Sequence, residues 1–358
     1  MKRLDYIDGL RGIAALLVFL IHSGGLGLRE LGSFGNNFVD YAKYGVILFF
    51  VISGYTLYAS EATSIVSLRW CFGFATKRLL RIAPMYFIML FFVMSPLFTG
   101  HMVTPERMHS FYCHISFVNI ILPQYSNDLL GVEWSIPVEV AFYSLFPLFF
   151  YFHKKTIIFI LIISMLFFVT LQNDNITYAM GDIYFKNRAH FFVAYLFSFL
   201  IGMLSFKLSY FVPKILSLKM QIFLLFTVVG VSLLWIMMGE NGLHAQIVVT
   251  LLSSITILFA DSIVSLKLFL SHAIFKFCGK ISFSLYLIHS SILGIVFQYS
   301  VYKSQAINGL ISLVVAVAIA TISYQIIEKP FINFAHLLAK LFFNKNISSR
   351  MSPADTAI

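Results

Sequence analysis

Apolar runs of roughly 17–20 residues recur from one end of this 358-residue chain to the other, separated by short polar or basic segments. That length matches a helix crossing the hydrocarbon layer of a bilayer, where a chain must satisfy its own backbone hydrogen bonds. The recurrence predicts an all-α, polytopic transmembrane helical bundle of about ten helices. The expected spans are 9–28, 44–61, 82–99, 136–152, 156–171, 189–206, 221–238, 245–260, 281–299 and 307–326. Composition decides against a soluble domain: 59% of residues are hydrophobic and 11% charged, about half the charge that a water-facing surface carries. Residues 1–331 read as one transmembrane domain and 332–358 as a cytoplasmic C-terminal tail.

The formal charge of +10 would fit an acidic partner such as a nucleic acid, but its distribution points elsewhere. With the N-terminus inside, only six of the 25 Lys and Arg residues fall in outer segments: Arg29, Lys43, Arg107, Lys186, Arg188 and Lys303. This is the positive-inside asymmetry, so the basic balance reflects topology; both termini are expected in the cytoplasm, with the bilayer and not nucleic acid as partner. Asp5 and Asp8 spoil a basic leader, which favours an uncleaved first helix. Of the three cysteines, Cys71 and Cys278 fall inside and Cys113 outside, so no disulfide is expected.

The first span, LDYIDGLRGIAALLVFLIH, carries Arg11 and His22 eleven residues apart. On a helix both lie on nearly one face, roughly 16 Å apart along the axis. Asp8, Ala15 and Val18 share that stripe. The separation is comparable to the pantetheine arm of an acyl-CoA, which suggests a phosphate clamp at the water interface and a proton-transferring group deeper in. The alternatives are a snorkelling arginine and a histidine bonded to a neighbouring helix.

Further groups follow along the chain. Ser53 and Gly54 sit mid-span, where small residues let backbones approach, or where an acyl chain or thioester could be admitted beside the first helix. Arg78 and Arg81, one turn apart with Lys77 alongside, form a polyanion grip as well as a topological marker, and Pro84 is expected to bend the chain as the third span begins. Residues 100–135 form the longest outer segment; its His101, His109, His114 and Cys113 fit no zinc spacing, so no metal site is expected. Glu139 falls about a turn and a half below the outer surface with Tyr143 one turn along the same face. His22, six residues from the end of its expected span, falls at similar depth, so Glu139 is expected to orient it; the bland alternative is a carboxylate satisfied by Trp134 or Ser135. Arg188 and His190 open the sixth span as anchors or acceptor contacts. Tyr286 and His289 lie one turn apart beside Ser284, and Glu328 sits at the inner interface before Pro330, which is expected to stop the last helix.

Taken in order, these elements resemble the bacterial acyltransferase-3 family of integral membrane acyltransferases. The resemblance is carried by Arg11-x10-His22, FFxxSGY (Phe49 to Tyr55, with Ser53 and Gly54), RxxRIxPxY (Arg78, Arg81, Ile82, Pro84, Tyr86), WSxxxExxFYxxxP (Trp134, Ser135, Glu139, Phe142, Tyr143, Pro147), YLIH (Tyr286 to His289) and EKP (Glu328 to Pro330). Lys77 departs from it, since members often have a second arginine there, and the esterase-like domain that some members carry after the bundle does not follow, as in a stand-alone form. The resemblance implies acyl-CoA (acetyl-CoA by default) as a cytoplasmic donor substrate, no bound cofactor, and a glycan hydroxyl, lipid-linked or polymeric, as acceptor. It also implies a location in the cytoplasmic (inner) membrane of a bacterium. His22 and Glu139 become the expected catalytic pair and Arg11, Arg78 and Arg81 the acyl-CoA clamp. Asp8, Ser53, Gly54, Tyr86, Trp134, Ser135, Tyr143, Tyr286, His289 and Glu328 become supporting or substrate-lining residues.

Two other classes compete. A transporter of a lipid-linked or small polar substrate would fit the span count, but transporters commonly show two related halves, and here the motifs cluster in the first four spans. A non-catalytic scaffold would leave intramembrane Arg, His and Glu unused. An acyltransferase for a small-molecule acceptor is the nearest variant of the main reading.

Overall fold

The computed structural model describes residues 4–62, 64–95, 103–122, 125–151, 192–239 and 243–343, and every regular element among them is helical. The expected fifth span, the start of the sixth, His101, Lys154, Lys155, Lys186, Arg188, His190 and residues 344–358 lie outside the described residues. In chain order the helices are α1 (Asp5–His22), α2 (Ser33–Tyr41), α3 (Gly45–Glu61), α4 (Leu68–Met94), α5 (Pro105–Ile115), α6 (Ser135–Tyr151) and α7 (Val193–Ser209). They continue with α8 (Leu218–Met238), α9 (Leu243–Phe259), α10 (Val264–Leu270), α11 (Ala273–Lys280), α12 (Ser282–Tyr299), α13 (Gln305–Ser323) and α14 (Lys329–Leu338). Their starts follow local chemistry. Thr104, Ser67, Ser217 and Ser304 each accept a backbone N–H from the first turn of α5, α4, α8 and α13, satisfying a donor that has no partner within the helix.

Four stretches among the described residues are long and apolar enough to cross a membrane: Ser33–Glu61, Leu218–Met238, Ser282–Tyr299 and Gln305–Leu341. A fifth is counted if α9 and α10, bent by 111°, form one broken span. α1 is not in this set, because Asp5, Asp8 and Arg11 crowd its first two turns. The chain is therefore an all-helical protein with several apolar helices of the multi-pass membrane type.

Three expected boundaries move, each for a backbone reason. α1 ends at His22, not at 28, because Gly24, Gly25 and Gly27 take φ values of +75°, +93° and +86°, a left-handed path that ends the helix. His22 is thus the last helical residue. α4 begins at Leu68 and runs through Pro84, so Arg78 and Arg81 stand on a helix rather than in a loop. Pro330 does not stop the last helix. Tyr324–Glu328 form a π-helical turn and Pro330 falls in the first turn of α14, where its missing N–H costs nothing. The helix consequently crosses residue 331, where the sequence placed the tail boundary, and α14 packs on α4.

Two close crossings fix the bundle. A Cβ on Gly12 would lie 2.0 Å from the Phe275 carbonyl oxygen, and one on Gly279 would lie 1.8 Å from that of Asp8, so α1 and α11 meet backbone to backbone. The start of this crossing is tied by Lys276 to Asp5 at 2.8 Å. A Cβ on Gly54 would meet the Phe199 carbonyl oxygen at 2.0 Å, and one on Gly202 that of Val51 at 2.1 Å, which locks α3 to α7. Beside this second crossing Phe199 stacks between Phe50, at 4.7 Å, and Phe142, at 4.1 Å, at the centre of the core. The space beside Gly54 is therefore taken by α7 and is not a gap along the first helix.

Candidate active site

Five helices converge on one chamber. α1 supplies Arg11, α3 Ser53, α4 Arg81, and α6 Ser135 and Glu139, while Tyr286 of α12 closes the wall; the chamber holds about 540 Å³ of empty space, part of it open. Phe49 and Phe50 line its apolar side. Helical spacing explains how a single turn serves two purposes. On α6, Glu139 and Tyr143 share a face, and the Tyr143 hydroxyl donates to Glu139. Ser53 also donates to Glu139, at 2.9 Å.

The arginines divide their tasks. Arg11 donates to Asp8 at 3.4 Å and to Thr56 at 3.1 Å. Asp8 is buried, so the ion pair aims the guanidinium from its own helix face. Arg81 shares the chamber. Arg78, one turn earlier, donates to Ser60 at 3.1 Å and lies over the rings of Phe74 and Tyr143, at 5.4 and 5.9 Å. Its buried Nε has no hydrogen-bond partner, which leaves one donor available behind the chamber. Of the expected clamp, Arg11 and Arg81 are brought together and Arg78 stands in the next layer.

His22 lies elsewhere. It is exposed at the C-terminal end of α1, beside a shallow depression that it forms with Gly24, Gly294 and Gln305. Its Nδ1 is 2.8 Å from the Val18 carbonyl oxygen and 3.2 Å from Nε2 of His289. The expected pairing of His22 with Glu139 is replaced by two separate pairings, Glu139 with Ser53 and Tyr143, and His22 with His289. The depth match assumed a first helix continuing to residue 28; the glycine-driven stop at His22 puts the imidazole at the helix end, while Glu139 is a turn inside α6.

The residues expected as supports have varied surroundings. Ser135 donates to the Tyr286 hydroxyl at 2.8 Å, and Tyr286 donates onward to the Val132 carbonyl at 2.6 Å. The ring of Trp134 packs on Phe50 and Tyr195, at 6.3 and 5.2 Å. Glu328 is buried and accepts from the backbone and the hydroxyl of Ser284, tying α12 to the π-helical turn. Tyr86 is fully buried and turns away from the chamber to His114 Nδ1, at 2.7 Å.

Two clusters were not visible in the sequence. Buried Glu61 gathers Lys77, Trp70 and Ser64, at 3.0, 2.8 and 2.8 Å, and so holds the C-terminal end of α3 to α4. Between α5 and the segment before α6, His114 Nε2 donates to Asp128 at 3.0 Å and lies 3.9 Å from Glu133. Potential ligand atoms of His114, Asp128 and Glu133 fall within 4.8 Å of one another. Glu133 nevertheless already accepts the backbone N–H groups of Leu129, Leu130 and Val132, at 2.7, 3.0 and 2.9 Å, so the group is a hydrogen-bonded knot that shapes the loop before α6. Burial opposes ionisation of Asp128, but the hydrogen bond and charge of His114 prevail and hold its carboxyl below the ordinary carboxylate range. The spacing of His114 to the acidic pair, fourteen and nineteen residues, gave no local signal.

The described residues thus hold an arginine-lined chamber between apolar helices and, at the opposite end of the helix that supplies Arg11, an exposed histidine. The acyltransferase domain of the acyltransferase-3 family matches residues 4–325, and the chain belongs to that family. Relatives from Staphylococcus aureus strains COL, MSSA476 and MRSA252, each named "Putative O-acetyltransferase", are each 26% identical to it over 375 residues. The match covers 92% of this chain and 58% of each relative, so the chain spans a little over half their length. No solved structure matches it.

Proposed function

We propose that the protein is a multi-pass O-acyltransferase of the bacterial cytoplasmic (inner) membrane. It moves an acyl group, acetyl by default, from cytoplasmic acyl-CoA to a hydroxyl of a cell-surface or periplasmic glycan such as an O-antigen (lipopolysaccharide) or exopolysaccharide. Ten spans with both termini cytoplasmic complete this reading. The observation that carries it is the placement of Arg11 and Arg81 in one chamber while His22, on the same helix as Arg11, stands exposed at the outer end.

Arg11 and Arg81 grip the phosphates of acetyl-CoA through forked, charge-assisted hydrogen bonds, with Arg78 behind them. The pantetheine arm runs along the α1 stripe and carries the thioester towards His22. The imidazole takes the proton of the acceptor hydroxyl as its oxygen attacks the thioester carbonyl; the carbon–sulfur bond then breaks, and coenzyme A leaves as the thiolate and is reprotonated. Glu139, held by Ser53 and Tyr143, lines the donor chamber rather than orienting His22. Mass spectrometry of surface glycans from cells with and without the protein, with a His22→Ala control, tests this reading. A one-acetyl mass difference lost in both the knockout and the control is expected; its persistence in the knockout overturns the assignment.

A further inference from the structure

We propose that His289 is a positioning residue that holds His22 in a single tautomer, with the proton on Nδ1 and the Nε2 lone pair open to the acceptor. The inference rests on the reading of His22 as the base, and it follows from the partners of four ring nitrogens.

His289 is buried on α12, and its Nδ1 lies 2.7 Å from the carbonyl oxygen of Tyr286 and 3.2 Å from that of Leu285. A carbonyl oxygen only accepts, so His289 Nδ1 carries the hydrogen. In a neutral imidazole its Nε2 then has a lone pair and no hydrogen. That Nε2 points at His22 Nδ1, 3.2 Å away, with the two rings nearly edge to face at 61°. His22 Nδ1 also faces the Val18 carbonyl at 2.8 Å. Both neighbours of His22 Nδ1 are acceptors, so its hydrogen is shared between them, a three-centre arrangement familiar at helix ends. The hydrogen of a neutral His22 is thereby used up, and Nε2 is left as the free base.

The opposite assignment fails on the same contacts. If His289 donated from Nε2, its bare Nδ1 would face two carbonyl oxygens and the bare Nδ1 of His22 would face a third. One hydrogen bond would be kept at the expense of three lone-pair clashes. Among the described residues neither imidazole has a carboxylate in hydrogen-bond or ion-pair contact, so nothing there favours a doubly protonated ring. The arrangement does for His22 what a carboxylate does for the histidine of a hydrolase triad, fixing tautomer and ring plane, but it adds no charge.

The position of His289 also gives it reach. It is one turn from Tyr286, which lines the arginine chamber, and it takes its own orientation from the Tyr286 carbonyl. One helical turn of α12 therefore connects the wall of the donor chamber to the base at the outer end.

The test uses the full-length protein in lipid nanodiscs with ¹⁵N-labelled histidine, acetyl-CoA as donor and total cell glycan as acceptor. Nitrogen NMR is expected to show His22 protonated at Nδ1 and bare at Nε2, and the His289→Ala variant to show a mixture of tautomers. Turnover in His289→Ala should fall roughly ten- to a hundredfold, about the worth of one well-aligned hydrogen bond in the transition state, with KM for acetyl-CoA unchanged. His289→Gln, whose side-chain oxygen can accept from His22 Nδ1, should restore the tautomer and most of the turnover. It also serves if His289→Ala does not fold. A wild-type His22 protonated at Nε2, or a tautomer and turnover unaffected in both variants, overturns the proposal. Full activity of His22→Ala with the expected tautomers would instead overturn the base assignment and leave the hydrogen-bond wiring standing.

Discussion

α1 and α8 are both helices of spanning length, and they are opposites. α8 is apolar along most of its 21 residues, with Lys219 in its first turn, and its buried residues are Gln221 and Ser232. α1 carries Asp5, Asp8 and Arg11, buries ten of its 18 residues and falls outside the set of apolar spans. The difference teaches what hydropathy reports in a bundle of this kind. A helix surrounded by lipid must be apolar on every side, whereas one enclosed by other helices can keep charges if neighbours satisfy them. The chemistry proposed for this protein stands on a helix that falls outside the set of apolar spans.

That contrast can be broken or sharpened by substitution. The largest effect expected is from His22→Ala on α1, which should lower acetyl transfer by about 10²–10⁴-fold, the usual contribution of a general base, while membrane levels stay normal. Acetyl-CoA-dependent glycan labelling measures it; near-wild-type labelling would move the chemistry off α1. Next, Gly12→Leu should abolish stable folding or raise degradation sharply, because the side chain would have to displace the Phe275 carbonyl at the α1–α11 crossing. Overpacking typically costs about 1–3 kcal/mol, and backbone is harder to move than side chain; thermal unfolding in detergent reads it. Arg81→Ala should raise KM for acetyl-CoA roughly tenfold, one lost charge-assisted contact, with a smaller change in kcat. On the other helix, Leu234→Ala, at a side chain 59% exposed, should shift stability by no more than about 0.5 kcal/mol and leave transfer unchanged. A large loss there would show that α8 is covered by protein and not by lipid.

The smallest effect lies outside both helices. Asp128 has a lowered pKa in the fold, so its bond to His114 contributes stability above the unfolded carboxylate range and loses it as pH falls through the lowered value. Hydrogen exchange in residues 105–122 and 125–134 should therefore stay slow through neutral pH and quicken only in acid. Asp128→Asn should make exchange faster at neutral pH and remove that acid-dependent step.

Much of the site was legible because it depends on spacing within one helix. Tyr143 with Glu139 and Asp8 with Arg11 are three- or four-residue pairs, and both form. Gly54 was readable as a packing residue for the same reason, a missing side chain being a local fact. The His22–Glu139 pairing failed because it required comparing depths on two helices. An error of six residues at one helix end moves a side chain by about 9 Å, and three left-handed glycines made that error. The knot of Tyr86, His114, Asp128 and Glu133 draws on two helices and a loop, so no window of sequence contains it.

The sequence by itself determined an all-helical chain of membrane type, the family, and the set of charged and polar residues that such helices would not carry without use. It could do so because hydrophobic length and helical period are properties of a single segment. Only the tertiary structure decided the partnerships, Glu139 with Ser53 and Tyr143 and His22 with His289, and which two of the three grouped arginines share one chamber. Those depend on where helices end and how closely their backbones cross, and a hydrogen bond, which fails within about an ångström of misplacement, responds to both.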